Sequence, residues 1–168
     1  SLHNIPVVTI AQDPNQPAEF PLEFLNGKAI LVTTFERMFN GKSIFGVEGY
    51  GHRPILEIGA LGIDDAHSCI KKARQQSTIL IEREHPAYEK LFALFETAIR
   101  EQGEGQYISI QQGESSVSRL IPFWIWKQQK DNVLAILQDL LSDDDQAVIY
   151  AWGLIGDDIS RCQCFISG

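Results

Sequence analysis

The chain has 168 residues, 44% of them hydrophobic and 21% charged, an ordinary globular composition that excludes a disordered or collagen-like protein. Its net charge of −8 disfavours nucleic acid as a partner, because a phosphate backbone needs clustered Lys and Arg. No stretch approaches the ~20 consecutive apolar residues that cross a bilayer, so no membrane span is expected.

The length fits a single globular domain over residues 1–168, able to bury roughly 70% of its unfolded surface without a disulfide or metal. Cys69, Cys162 and Cys164 are too few, and odd in number, for a disulfide scaffold, and no basic, apolar leader opens the chain. Reduced thiols point to the cytoplasm.

In chain order, Ile5–Ile10 reads as a strand and Asp13–Pro21 as a loop. Asn26-Gly27 and Asn40-Gly41 then read as hairpin turns, since both residues of an Asn-Gly pair take positive φ cheaply. They would join Phe20–Leu25, Lys28–Phe35, Ser43–Tyr50 and Ile55–Ile58 into an antiparallel meander, with Phe35–Asn40 as a short helical turn in the competing reading. A helix starts at Asp64 or Asp65, where aspartate caps free N–H groups. Thr78–Arg83 is a short β-rich run.

The next helix has the clearest signals, with Pro86 at the first turn and Gly103 just past the end. Between them Tyr88, Leu91, Phe92, Phe95, Ala98 and Ile99 recur at helical spacing. Gln106–Ile110 and Val117–Trp126 read as strands, and Gln128–Leu141 as a third helix. Gln146–Trp152 and Arg161–Ser167 read as closing strands. The expected fold is α+β: a largely antiparallel sheet with N-terminal hairpins and about three helices packed on one face.

Gly41-Lys42-Ser43 matches the tail of a phosphate loop, but the glycine required five residues earlier is Glu36, and a turn is the better reading. Ser68-x-x-Lys71 lacks its companion motifs. Asp64, Asp65, His67 and Cys69 bring metal-ligand types together at no recognised spacing, so capping and packing explain them. Cys162-x-Cys164 reads as core packing. No cofactor or metal is expected, and no motif names a reaction.

Charge is distributed unevenly. Residues 131–168 hold seven aspartates (131, 139, 143, 144, 145, 157 and 158) against Arg161, which is −6 of the −8, while the first 130 residues hold 15 acids and 13 bases. The leading expectation is a non-catalytic interaction domain whose acidic C-terminal third meets a basic protein partner. Asp143, Asp144, Asp145, Asp157 and Asp158 would carry it, with Trp124 and Trp126 on one strand face as apolar contacts. Immunity proteins that neutralise basic toxins work in this way; the parallel is one of charge. One alternative is a small-molecule enzyme or ligand-binding domain near the Gly46–Gly62 loop and the Asp64–Cys69 helix start, using His52, Arg53, His67 and Cys69. Another is a homo-oligomer subunit with the tryptophan strand at its interface.

Overall fold

A computed structural model describes residues 4–10, 20–45, 55–142 and 146–168. Among these residues the chain forms eight α-helices, one 3-10 turn and four strands of three residues each. The expected largely antiparallel sheet is therefore overturned: the protein is mainly helical, with two separate two-stranded sheets. The first pairs β1 (Val7–Thr9) with β2 (Ile30–Val32) in parallel. The second pairs β3 (Ser118–Leu120) with β4 (Phe165–Ser167) antiparallel, Leu120 lying opposite Phe165.

The N-terminal meander fails for a specific reason. Phe20–Leu25 contains a short helix, α1 (Leu22–Leu25), and Asn26-Gly27 terminates it. Gly27 sits at φ 68°. Its N–H donates to the Phe24 carbonyl at 2.9 Å, and the Lys28 N–H donates to the Glu23 carbonyl at 2.8 Å. This pair of bonds is a Schellman cap. A left-handed glycine serves a hairpin and a helix end equally well, so the dipeptide alone does not choose between them.

Asn40-Gly41 also ends a helix, α2 (Phe35–Met38). The Asn40 amide donates to the Glu36 carbonyl at 2.8 Å, and its oxygen accepts from the Lys42 N–H at 2.9 Å. The helical reading of this segment holds, and the second hairpin does not form. Ser43–Tyr50 lies largely outside the described residues, and Ile55–Ile58 takes no regular structure. Helix α3 (Ala66–Gln76) starts where aspartate capping places it, with Asp65 accepting from the Ser68 N–H at 3.3 Å. Thr78–Arg83 forms no strand, though Ile79 and Ile81 pack against the core.

Helix α4 (Pro86–Gln102) has the predicted bounds, with Pro in its first turn and Gly103 after its end. Helix α5 (Glu104–Gln111) replaces the expected strand Gln106–Ile110. Its β-branched and aromatic residues are overridden because Tyr107 and Ile110, three apart, both bury against the core, a spacing that a helix places on one face. The Tyr107 ring stacks on Phe92 with centroids 5.3 Å apart.

Val117–Trp126 divides at Pro122. Strand β3 ends before it, and α6 (Phe123–Gln128) begins after it. Helix α7 (Lys130–Ser142) corresponds to the predicted third helix. Helix α8 (Gln146–Ile155) replaces the expected closing strand. An apolar run reads equally as buried strand or buried helix, and here the ten-residue length favours the helix. A 3-10 turn (Ile159–Arg161) leads into β4.

The core centres on α4, which packs against α5 and α7. Phe95, Ile99, Ile110, Ile121 and Val133 are its most deeply buried large side chains. Arg83 ties its edge: two guanidinium nitrogens donate to the Ile110 carbonyl at 2.8 Å and the Gln111 carbonyl at 2.6 Å. A cation at the last carbonyls of α5 suits the negative end of the helix dipole. The Tyr88 hydroxyl, raised in pKa by burial, donates to the Ser167 carbonyl at 2.6 Å and joins α4 to β4.

The segment before α3 docks by a backbone contact. The Gly41 N–H donates to the Tyr150 carbonyl of α8 at 3.0 Å. A side-chain carbon added at Gly153 would fall 2.6 Å from the Gly41 Cα, so two glycines permit the crossing. Lys42 lies over the Tyr150 ring, 4.6 Å from its centroid, and Lys72 pairs with Glu36 at 2.8 Å to join α3 to α2.

Candidate functional site

Of the described acidic and aromatic residues singled out in the sequence, only Trp126 is joined to the backbone beside the Asp157–Asp158 pair. In a strand, Trp124 and Trp126 would share a face. In α6 they lie about 200° apart around the axis, so one faces out and the other in. Trp124 is 70% exposed and Trp126 is 6% exposed. The expectation of a shared tryptophan face is corrected accordingly.

Trp126 has a structural task. Its ring stacks against Phe95, centroids 5.8 Å apart, and its indole N–H donates to the Ile159 carbonyl at 2.7 Å. That carbonyl belongs to the 3-10 turn directly after Asp157 and Asp158. The bond therefore fixes α6 against the turn that carries the acidic pair, through the face opposite Trp124. A buried indole N–H left without an acceptor would cost about 1–3 kcal/mol, so the pairing is well specified.

On α6, Trp124 is followed one turn later by the exposed Lys127 and Gln128. Phe123 precedes it in the first turn of α6 and is exposed, as are the cross-strand neighbours Leu120 and Phe165. Strand alternation explains the last two: Ile166 is buried in the core while Phe165 and Ser167 on either side face out. Asp157 and Asp158 are exposed. Asp158 accepts an ion pair from Arg161 at 3.3 Å, with both side chains in solvent. Such exposed pairs contribute little and are readily exchanged.

Asp143, Asp144 and Asp145 lie outside the described residues, between α7 and α8, as do His52 and Arg53. His67 is exposed in the first turn of α3. Cys69, two residues further, is half-buried and its thiol contacts the Asp64 carbonyl at 3.6 Å. Asp65 is held below the usual carboxylate range by the Ser68 hydroxyl and N–H, as its capping role requires. Among the described residues no three His, Cys, Asp or Glu side chains are grouped to hold a metal ion. No helix among them is long and apolar enough to cross a membrane.

Cys162 and Cys164 both pack against the core. Burial pushes the Cys164 thiol up to about 12, which keeps it from the thiolate form that nucleophilic chemistry needs. The unfolded thiol ionises near pH ~8.5. Because the folded value is the higher one, the stabilising contribution is complete below that pH and is lost as pH rises toward 12. Unfolding free energy should therefore fall between about pH 8.5 and pH 11, and Cys164→Ala should flatten that decline in denaturant titrations across the range.

A groove that the sequence did not signal lies between the end of α2, the end of α3 and α8. It has a volume of about 780 Å³ and is lined by Phe20, Arg37, Lys42, Ile44, Gln76 and Tyr150 among others. Most of its lining comes from the stretch 34–44, which Gln76 and Tyr150 meet from far along the chain. Lys42 belongs to the Gly-Lys-Ser tripeptide that resembled a phosphate-loop tail. That tripeptide forms a turn here, with the Ser43 N–H donating to the Asn40 carbonyl at 3.0 Å.

No family model, curated protein or solved structure matches this chain.

Proposed function

We propose that the protein is a non-catalytic interaction domain that binds a basic protein partner, with Trp124 as anchor and the acidic C-terminal third as its electrostatic guide. The observation that carries this reading is the exposure of Trp124 on a helix that Trp126 holds against the Asp157–Asp158 turn. Exposed tryptophans are frequent binding hot spots. Exposed carboxylates in the same third of the chain favour encounter with a cationic surface and discourage wrong partners. Asp143–Asp145 extend the same sign of charge along the chain. Three free thiols fit a reducing, cytoplasmic setting, where an inhibitor or immunity-type role against a basic protein would operate.

A second reading has one observation in its favour. The α2–α8 groove ends at Ser43 and Ile44, which lead directly into the Gly46–Gly62 loop where a ligand or substrate site was expected. On that reading small-molecule binding would shift with Tyr150 or Arg37 substitutions and ignore Trp124.

The test is quantitative capture from the native host, followed by calorimetry on the purified partner. A basic protein is expected, binding more weakly at high salt. Asp157→Asn with Asp158→Asn should slow its association, and Trp124→Ala should weaken it about 30-fold or more. A partner whose affinity ignores salt and all three substitutions overturns the proposal.

A further inference from the structure

We infer that Asn26 is a site of covalent self-modification: it loses its side-chain amide to attack by the Gly27 backbone nitrogen and becomes aspartate or isoaspartate, while Asn40, in the same dipeptide, is spared. The chain holds two Asn-Gly pairs, Asn26-Gly27 and Asn40-Gly41. Glycine has no side-chain carbon to obstruct its own nitrogen, so in an unfolded chain both pairs are open to this reaction. At Asn26 the Gly27 nitrogen gives its proton to hydroxide and bonds to the side-chain carbonyl carbon. The side-chain nitrogen takes a proton from water and leaves as ammonia. Water then opens the succinimide ring at either carbonyl, giving isoaspartate when the backbone carbonyl is the one hydrolysed.

The fold treats the two pairs differently. The Asn40 amide is held from both ends. Its nitrogen donates to the Glu36 carbonyl at 2.8 Å and the Arg37 carbonyl at 3.1 Å, and its oxygen accepts from the Lys42 N–H at 2.9 Å. Gly41 is buried, and its N–H donates to the Tyr150 carbonyl of α8 at 3.0 Å. Attack by the Gly41 nitrogen therefore requires the side-chain bonds to break and the end of α2 to leave α8.

Asn26 is exposed, and among the described residues nothing bonds to its side-chain amide. The Gly27 N–H is also bonded, but to the Phe24 carbonyl within the same cap. Helix α1 has four residues, none of them buried, and so short a helix has little stability of its own. Its end opens locally at small cost, which frees the Gly27 nitrogen and lets the backbone turn toward the side chain. The product then prevents the cap from closing. Isoaspartate routes the main chain through the side-chain carbon, which removes the spacing that the Gly27 and Lys28 cap bonds need. The new carboxylate also sits at the C-terminal end of a helix, where negative charge is disfavoured. Phe24 would shift with the cap, and its ring packs on Phe20 and Phe45 with centroids 6.3 Å and 6.4 Å away. The reaction needs no partner, so this inference and the Trp124 reading fail separately.

Peptide mapping by mass spectrometry tests it on the full chain, aged in mildly alkaline buffer, with isoaspartate counted by enzymatic methylation. In the folded protein Asn26 should convert at least about tenfold faster than Asn40, the combined effect of the hydrogen bonds that hold Asn40. The Asn26 rate should rise with pH, because hydroxide takes the Gly27 proton. In concentrated urea the two rates should converge. Asn26→Ser should remove the isoaspartate from the folded protein. A folded chain in which Asn26 stays intact, or in which Asn40 converts as fast, overturns the inference. So does a difference in rate that persists in urea, which would place its cause in the flanking sequence and not in the fold.

Discussion

Trp126→Ala is expected to lower the unfolding free energy by about 3–5 kcal/mol, the cost of deleting a large buried aromatic. The loss has two parts. The ring vacates a site against Phe95 in the centre of the core, and the Ile159 carbonyl loses the indole N–H at 2.7 Å. Trp126→Phe separates them, since it keeps most of the packing and removes the donor. It should cost about 1–3 kcal/mol, the range for orphaning one buried polar group. Urea titrations followed by circular dichroism measure both, because the far-ultraviolet signal comes from the helices. The same variants should loosen the 3-10 turn at Ile159–Arg161, which hydrogen exchange at Arg161 and Cys162 would report as faster exchange.

The second large effect is expected at Gly153. Alanine there would bring its side-chain carbon within 2.6 Å of the Gly41 Cα and 2.8 Å of the Gly41 carbonyl carbon. Backbone lies on the far side of the contact, so no flexible side chain can swing away. The intrinsic gain in helix propensity on replacing glycine, up to ~1 kcal/mol, opposes this but is the smaller term. Net destabilisation of about 1–3 kcal/mol is expected, as for other overpacked contacts. The distinctive readout is local. The hydrogen bond from the Gly41 N–H to the Tyr150 carbonyl should break, while α4 and α7 keep their protection in hydrogen exchange. Gly41→Ala should behave alike, because its added carbon would lie 2.8 Å from the Gly153 Cα.

These two sites mark how much of the fold could be read from residues alone. Helix α4 was legible because Pro86, Gly103 and the spacing of Leu91, Phe95 and Ile99 all agree. Helix α3 was legible through Asp65, whose capping geometry is local, and α7 through its apolar stripe. The misread segments share one property: their signals are degenerate. Asn26-Gly27 supplies a left-handed glycine, which a Schellman cap uses as readily as a hairpin. Gln106–Ile110 and Gln146–Trp152 are rich in strand-preferring residues, yet Tyr107 with Ile110, and Val148 with Ala151, bury at helical spacing. Tertiary packing decided them. Gly153 follows the expected strand Gln146–Trp152, and only its partner Gly41, more than a hundred residues away, explains a glycine inside helix α8.

The candidate surface was legible to a similar extent. Composition alone picked out the acidic third and the paired tryptophans. It could not separate Trp124 from Trp126, because that depends on whether the segment has a period of two or of 3.6. Nor could it reveal that an Ile159 carbonyl binds the aromatic helix to the Asp157–Asp158 turn. The described part of the Asp64–Cys69 region is explained by capping and a half-buried thiol. The α2–α8 groove touches Lys42 and Ser43 of the Gly-Lys-Ser tripeptide, which the sequence reads only as a turn, and Gln76 and Tyr150 reach it through tertiary packing.

The central claim is that Trp124 anchors a basic protein partner. The most direct measurement keeps Trp124, replaces the exposed Phe123 beside it with a photo-crosslinking residue, and identifies its adduct in the native host. The account predicts one dominant adduct to a basic protein, absent when the same crosslinker stands at Ile70, an exposed position on α3. An adduct to an acidic or neutral protein, or no adduct from a folded variant, would contradict it.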